Sequence, residues 1–209
     1  MIKKIVFDLD NTLLEWKNEY IYALENVVNN FNLEYDKEKI KEIDRALEDY
    51  EDYLIKSNKE DFLKFLNNRC KTNLSMEFLD KLIEEQGKCF DVYEGEKLET
   101  IKYLSKKYKL ICISNWFTRT QKMRLEGAGI AKYFDIITGG DEHELKPSIN
   151  AFSIIDNPKE CIMIGDSLKK DIFPAIKLGM QAILITKKDV KEDSRYKIIR
   201  NIEELKEML

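Results

Sequence analysis

Apolar positions along the chain follow two rhythms. Short runs at Lys4–Phe7, Leu110–Ile113, Ile136–Thr138, Cys161–Ile164 and Ala182–Ile185, with a weaker one at Lys197–Ile199, are apolar almost throughout. Such runs mark strands covered on both faces of a sheet. Between them, helical spacing predicts helices over about 96–107, 118–126, 148–155, 169–178 and 202–208. Thr118 and Gln121 fit a capping box that opens the second of these. Buried strands alternating with helices predict an α/β fold, a doubly wound and mainly parallel sheet with right-handed crossovers.

The first gap between strands is different. Leu24, Val27, Val28 and Phe31 share one helical face. Ile40, Ile43, Leu47, Tyr50 and Leu54 mark a second, long helix. Phe62, Leu63, Phe65 and Leu66 belong to a third, and Phe78, Leu79, Leu82 and Ile83 to a fourth that Ser75 caps. All eight glycines and all three prolines lie between Gly87 and Gly179, so nothing punctuates this stretch. The expected division is a core of residues 1–14 and 94–209, with 15–93 inserted as a helical domain. The insert carries 19 acidic against 12 basic residues, which leaves the core slightly basic. Most of that charge, the run Glu48-Asp49-Tyr50-Glu51-Asp52 included, reads as solvated helix face.

Composition narrows the class. At 209 residues and 44% hydrophobic, the chain suits one ordinary domain with a second small one and is not intrinsically disordered. No apolar run approaches the roughly 20 residues of a membrane-spanning helix, and the start does not resemble a signal peptide. A soluble, cytoplasmic monomer or homodimer is expected. A pI near 5.4 without a basic tract speaks against nucleic acid as a partner. Cys70, Cys89, Cys112 and Cys161 show no metal-ligand spacing, and Cys112 and Cys161 lie in strand runs expected to be buried. The single histidine, His143, is expected in an exposed loop.

Ligands of open parallel sheets bind at the carboxyl ends of the strands. The first strand ends in Asp8-Leu9-Asp10-Asn11-Thr12 and the second in Ser114-Asn115. The loop after the third reaches Lys146-Pro147. The fourth ends in Gly165-Asp166-Ser167, with Asp171 five residues after Asp166. Any one fragment reads as a cap, a turn or a surface lysine. Together they bring carboxylates, a hydroxyl and an amine to one edge, the composition of a divalent-cation and phosphate site.

These four fragments resemble the four motifs of the haloacid dehalogenase (HAD) superfamily, over essentially the whole chain. The helical block resembles the family's cap, inserted between the first and second motifs. The resemblance implies a phosphatase that acts on a small-molecule phosphate ester with Mg2+. It makes Asp8 the nucleophile and Asp10 the acid and base. Ser114, Asn115 and Lys146 would bind the phosphoryl group. The ion would be held by Asp8, the Asp10 main-chain carbonyl and Asp166, with Asp171 orienting its water shell or Lys146. Phosphomutase, 2-haloacid dehalogenase and a non-catalytic phospho-ligand module are the alternatives. A dehalogenase would lack the acid at position 10.

Three features depart from the family pattern. Trp116 stands where glycine is common, and is expected to wall the pocket. Only 20 positions separate Lys146 from Asp166, so the intervening helix is expected to be trimmed. Trp16, at the entry to the insert, is the expected cap contact to substrate. The stretch Ser114–Thr118 with Gln121, Arg124 and Leu125 is similar to family members that hydrolyse nucleoside monophosphates. Phosphoglycolate, sugar phosphates and triose phosphates are the other candidate substrates.

Overall fold

The computed structural model describes residues 1–15, 19–191 and 193–209. Six strands form one parallel sheet: β1 (Lys4–Phe7), β2 (Lys109–Ile113), β3 (Ile136–Thr138), β4 (Cys161–Gly165), β5 (Gln181–Ile185) and β6 (Lys197–Ile199). Their spatial order is β3-β2-β1-β4-β5-β6, with Lys4 opposite both Lys109 and Cys161. The chain builds outward from β1 in one direction and then in the other. The switch therefore falls beside β1, where an open sheet leaves a crevice.

Alternation along each strand feeds two layers. Ile5, Phe7, Leu110, Cys112, Ile162 and Ile164 face a core shared with Ile101 and Leu104 of α5 (Gly95–Lys107) and Leu205 of α8 (Leu205–Met208). Val6, Ile111, Ile113, Cys161 and Met163 face the other way, onto Ala151, Phe152 and Ala175 of α7 (Phe173–Lys177). Burying each such side chain contributes about 1.5–3 kcal/mol. The doubly wound expectation holds, and Cys112 and Cys161 are buried as expected.

Between β1 and α5 lie four further helices: α1 (Glu19–Asn30), α2 (Lys37–Asp49), α3 (Lys59–Cys70) and α4 (Met76–Gln86). Asp36, Asn58 and Ser75 cap the last three, each side chain accepting from a first-turn amide. Each cap is worth about 1 kcal/mol. Their apolar faces meet in a separate core that also takes in Trp116, Phe117 and Leu145 from the sheet side.

Some expected helices are shorter. The one drawn through Leu54 stops at Asp49 and gives way to a 3-10 turn at Tyr50–Asp52. The segment 148–155 forms only a 3-10 turn at Ile149–Phe152, in line with the trimming expected there. The segment 202–208 divides into a 3-10 turn and the single turn of α8. The capping box at Thr118 does not form. Helix α6 (Thr118–Gly127) is capped from outside, where Asp141 accepts from the Thr118 amide at 2.7 Å and its hydroxyl at 2.8 Å. Gln121 is engaged elsewhere.

Candidate active site

The carboxyl edge of the sheet gathers the expected side chains. After β1 the chain leaves extended geometry, as it must if Asp10 is to emerge beside Asp8. Asn11 adopts φ 58°, a left-handed conformation that asparagine tolerates. The Thr12 and Leu13 amides return to the Leu9 carbonyl. Asp8 is buried, and its Oδ2 accepts from the Thr12 hydroxyl at 3.2 Å.

Lys146 is the centre of charge. Its Nζ donates to Asp8 Oδ1 and to Asp171 Oδ1, both at 2.6 Å, and all three residues are buried. Burial opposes the ammonium, but Asp171 and Asp8 outweigh it and hold Lys146 protonated above its usual range. One cation does not balance the acids around it. Burial first, then the charges of Asp171, Asp10 and Asp166, push Asp8 up to about 8 against the pull of Lys146. Burial and Asp171 likewise push Asp166 up to about 6.

Carboxylate oxygens of Asp8, Asp166 and Asp171 lie within 4.8 Å of one another. The cluster is oxygen-only and carries more negative charge than Lys146 neutralises, so it fits a hard dication such as Mg2+. The β4 end is built to allow this. A Cβ on Gly165 would come within 2.5 Å of the Asp171 side chain, so only glycine lets that carboxylate sit against the strand end.

Two other expected residues have definite partners. Ser114, buried at the end of β2, accepts from Gln121 Nε2 at 2.6 Å and from the Trp116 amide at 3.3 Å. With two donors aimed at its oxygen, its own hydroxyl hydrogen is left to donate. Asn115 borders the cavity and spends its amide oxygen and one amide hydrogen on the Lys146 backbone. It accepts from the Lys146 amide at 2.7 Å and donates to the Lys146 carbonyl at 2.9 Å.

The carboxylate of Asp10 turns away from the acidic cluster. Gln121 Nε2 donates to Oδ2 at 2.8 Å, and Arg124 forms an ion pair with Oδ1. In the sequence these two α6 residues stand out only for their similarity to nucleotide-acting members, not for this contact. A signal was available, because Thr118, Gln121, Arg124 and Leu125 share a face of a helix that is otherwise short of apolar residues.

Above these groups lies a cavity of about 360 Å³. Asp8, Asp10, Ser114, Lys146 and Asp166 line it from the sheet, and Leu47, Glu48, Tyr50 and Glu51 from the helical block. Of the acidic run, Glu48, Asp49 and Asp52 are exposed as expected, while Glu51 is half-buried and forms an ion pair with Lys170 at the cavity wall. Trp116 lines the cavity and also packs edge-on against Tyr50 and Phe62, with centroids 5.2 and 5.3 Å away. The helical block is stitched down nearby: Ser57 donates from its amide to Gly140 at 2.7 Å and from its hydroxyl to Asn115 at 3.1 Å, both to carbonyls. Trp16 lies outside the described residues. His143 is buried, not exposed: Nδ1 lies 2.6 Å from the Glu144 carbonyl as the loop folds inward beside Lys146.

The sequence matches the haloacid dehalogenase-like hydrolases over residues 5–185. The chain belongs to that family. It is 24% identical over 209 residues to N-acylneuraminate-9-phosphatase of Homo sapiens, covering 87% of this chain and 81% of the relative. It is 26% identical over 186 residues to phosphoglycolate phosphatase of Aquifex aeolicus, covering 79% and 76%. The fold superposes on a HAD-hydrolase structure from Bacillus subtilis bound to magnesium with a TM-score of 0.73, at 19% identity and 99% and 98% coverage. Family and relatives together make this HAD-like hydrolase a phosphoric monoester hydrolase.

Proposed function

We propose that this hydrolase is a Mg2+-dependent phosphatase acting on a small phosphomonoester through an aspartyl-phosphate. The observation that carries the reading is the bridge from Lys146 to Asp8 and Asp171, beside a Ser114 hydroxyl left free to donate.

Asp8 attacks phosphorus, and an O–P bond forms as the ester P–O bond breaks. Asp10 gives its proton to the departing alkoxide. Water then attacks the aspartyl-phosphate, Asp10 takes the water's proton, and the Asp8 O–P bond breaks to free inorganic phosphate. Lys146 and Ser114 hold the equatorial oxygens as charge spreads over them. Asp8, Asp166 and the Asp10 main-chain carbonyl, with Asp171 alongside, would hold the ion, which when bound relieves repulsion between the carboxylate nucleophile and the anionic ester.

Residues 15–93 act as a cap on a core of 1–14 and 94–209, excluding water during the first step. A cavity of about 360 Å³ lies at the small end of the range for ligand sites, which suits a metabolite-sized ester. The candidates are nucleoside monophosphates, sugar and triose phosphates, phosphoglycolate and, from its relative's name, N-acylneuraminate 9-phosphate. An acid at position 10 weighs against dehalogenation.

The test is phosphate release from that panel with Mg2+, with chelator, and with Asp8→Asn. Release that needs both the ion and Asp8 is expected. Silence from folded, Mg2+-binding protein across the panel overturns the reading.

A further inference from the structure

Arg124 is fully buried, and each of its guanidinium nitrogens has work to do. Nη1 pairs with Asp10 Oδ1 and donates to Gln121 Oε1 at 3.0 Å. Nε donates to the Cys89 carbonyl at 2.9 Å, and Nη2 reaches the Glu15 carbonyl at 3.4 Å. Its carbon lies 5.2 Å from the centroid of the Tyr20 ring in α1. Glu15 and Cys89 stand on the two connections that run between the sheet and the helical block, β1 to α1 and α4 to α5. One side chain therefore ties both connections to the carboxylate at the catalytic edge.

Gln121 completes the arrangement. The bond from Arg124 to Oε1 fixes which end of the amide is which. Nε2 is then left with two hydrogens, one for Asp10 Oδ2 at 2.8 Å and one for Ser114 Oγ at 2.6 Å. The same amide sets the direction of the Ser114 hydroxyl and the position of Asp10. A lysine at 124 would supply charge but not a planar fork with donors in three directions.

We propose that Arg124, acting with Gln121, is a positioning residue that couples the seating of the helical block to Asp10, the group that handles the leaving-group proton. The proposal rests on the phosphatase reading above. Neither residue touches the reacting atoms. Each acts through Asp10, and Gln121 also acts through Ser114.

Leaving-group dependence separates this role from a merely structural one. p-Nitrophenolate departs without a proton, whereas an alkoxide needs one. Hydrolysis of the aspartyl-phosphate needs Asp10 again, now to take the proton of water. First-turnover and steady-state rates are therefore measured with Mg2+ for p-nitrophenyl phosphate and for the best alkyl phosphate of the panel. The proteins are wild type, Arg124→Lys and Gln121→Leu, with Gln121→Asn as the conservative rescue.

In the variants, the first turnover of the alkyl ester is expected to fall about 100-fold, the lower end for a lost general acid. The first turnover of p-nitrophenyl phosphate is expected to stay within a few-fold of wild type in Arg124→Lys, as a burst of product before slow steady-state turnover. In Gln121→Leu, which also loses the donor to Ser114, it is expected to fall, but by less than that of the alkyl ester. Gln121→Asn, which keeps an amide N–H donor on a shorter side chain, is expected to recover part of the alkyl rate. Gln121→Leu leaves the buried arginine in place, so the test survives if Arg124→Lys does not fold. An equal fall for both esters, a rise in KM with kcat unchanged, or no change at all overturns the proposal. Wild-type silence toward both esters is a different result, which removes the phosphatase reading and this proposal with it.

Discussion

Asn115 and Lys146, 31 positions apart, are joined as if by a pair of strand hydrogen bonds: the Asn115 amide takes the Lys146 N–H at 2.7 Å and gives to the Lys146 carbonyl at 2.9 Å. The side chain of one loop thereby fixes the main chain of another, and the ammonium of Lys146 leaves that fixed point to meet Asp8 and Asp171. Ser57, from the helical block, holds the Asn115 carbonyl in turn.

Asn115→Ala is expected to lower stability by about 2 kcal/mol, because two buried main-chain groups lose their partners. Turnover should fall as well, since Lys146 is no longer seated. Thermal unfolding and steady-state kinetics check both. An unchanged Tm would show that the two loops hold each other without this amide.

The Asp8 carboxyl makes stability depend on pH and on the ion. Its ordinary value is 3.8, and in the folded protein it is pushed up to about 8. Over that window the folded state keeps a proton that the unfolded chain has lost. Its contribution to stability is therefore full below the lower value and declines as pH rises through the upper one. Chelator-treated protein should lose Tm between about pH 6 and about pH 8. Mg2+ should restore most at the upper end, where no proton has to leave. Asp8→Asn should flatten the metal-free profile. Calorimetry across that range decides it, and a metal-free Tm that does not fall removes the account.

The sheet was legible because six apolar runs carry the signal of strands buried on both faces, and the edge was legible because strand ends are where such sheets present chemistry. Asp8, Ser114, Lys146, Asp166 and Asp171 could be placed together on that ground. What stayed hidden depends on partners distant in sequence. Nothing near Arg124 in the sequence shows that its charge is buried, because its partner Asp10 lies 114 positions earlier. The capping box at Thr118 is locally sound, but Asp141 supplies the cap from across the fold and Gln121 is drawn to Asp10 and Ser114. The acidic run after Leu47 keeps a helix pattern in sequence. A 3-10 turn at Tyr50 swings Glu51 toward Lys170 and into the cavity wall.

Trp116 holds two positions at once, in the cavity wall and in the aromatic cluster under the helical block. Its indole N–H has no partner among the described residues. Trp116→Phe should therefore keep or slightly raise Tm, because a buried unpaired donor is removed, while KM shifts as the wall changes shape. Trp116→Ala should cost about 3–5 kcal/mol through the void it leaves among Tyr50, Phe62 and Phe117. Unfolding midpoints read beside KM separate the two roles. A Phe variant with unaltered KM would confine Trp116 to packing.

His143 supplies an acid-side prediction of opposite sign to Asp8. Burial, with the positive charge of Lys146 adding to it, pulls the imidazole below its ordinary 6.5 despite the hydrogen bond to Glu144. Folding thus favours the neutral ring, in which Nδ1–H donates to the Glu144 carbonyl and Nε2 lies buried. As pH falls below 6.5 the unfolded chain takes up a proton that the native state resists, so this contribution is whole above 6.5 and is lost as pH drops through the folded value. The slope cannot exceed about 1.4 kcal/mol per pH unit for one group. His143→Asn keeps a donor near the Glu144 carbonyl and removes the titration. Asp8 and Asp166 titrate nearby with the opposite trend, so the quantity to follow is the difference between wild type and variant, with Mg2+ saturating. Urea unfolding should give curves that run parallel above about pH 7 and diverge below 6.5, with wild type losing stability faster. Parallel curves down to pH 5 would mean that the ring is hydrated in solution and that its loop opens without cost to the fold.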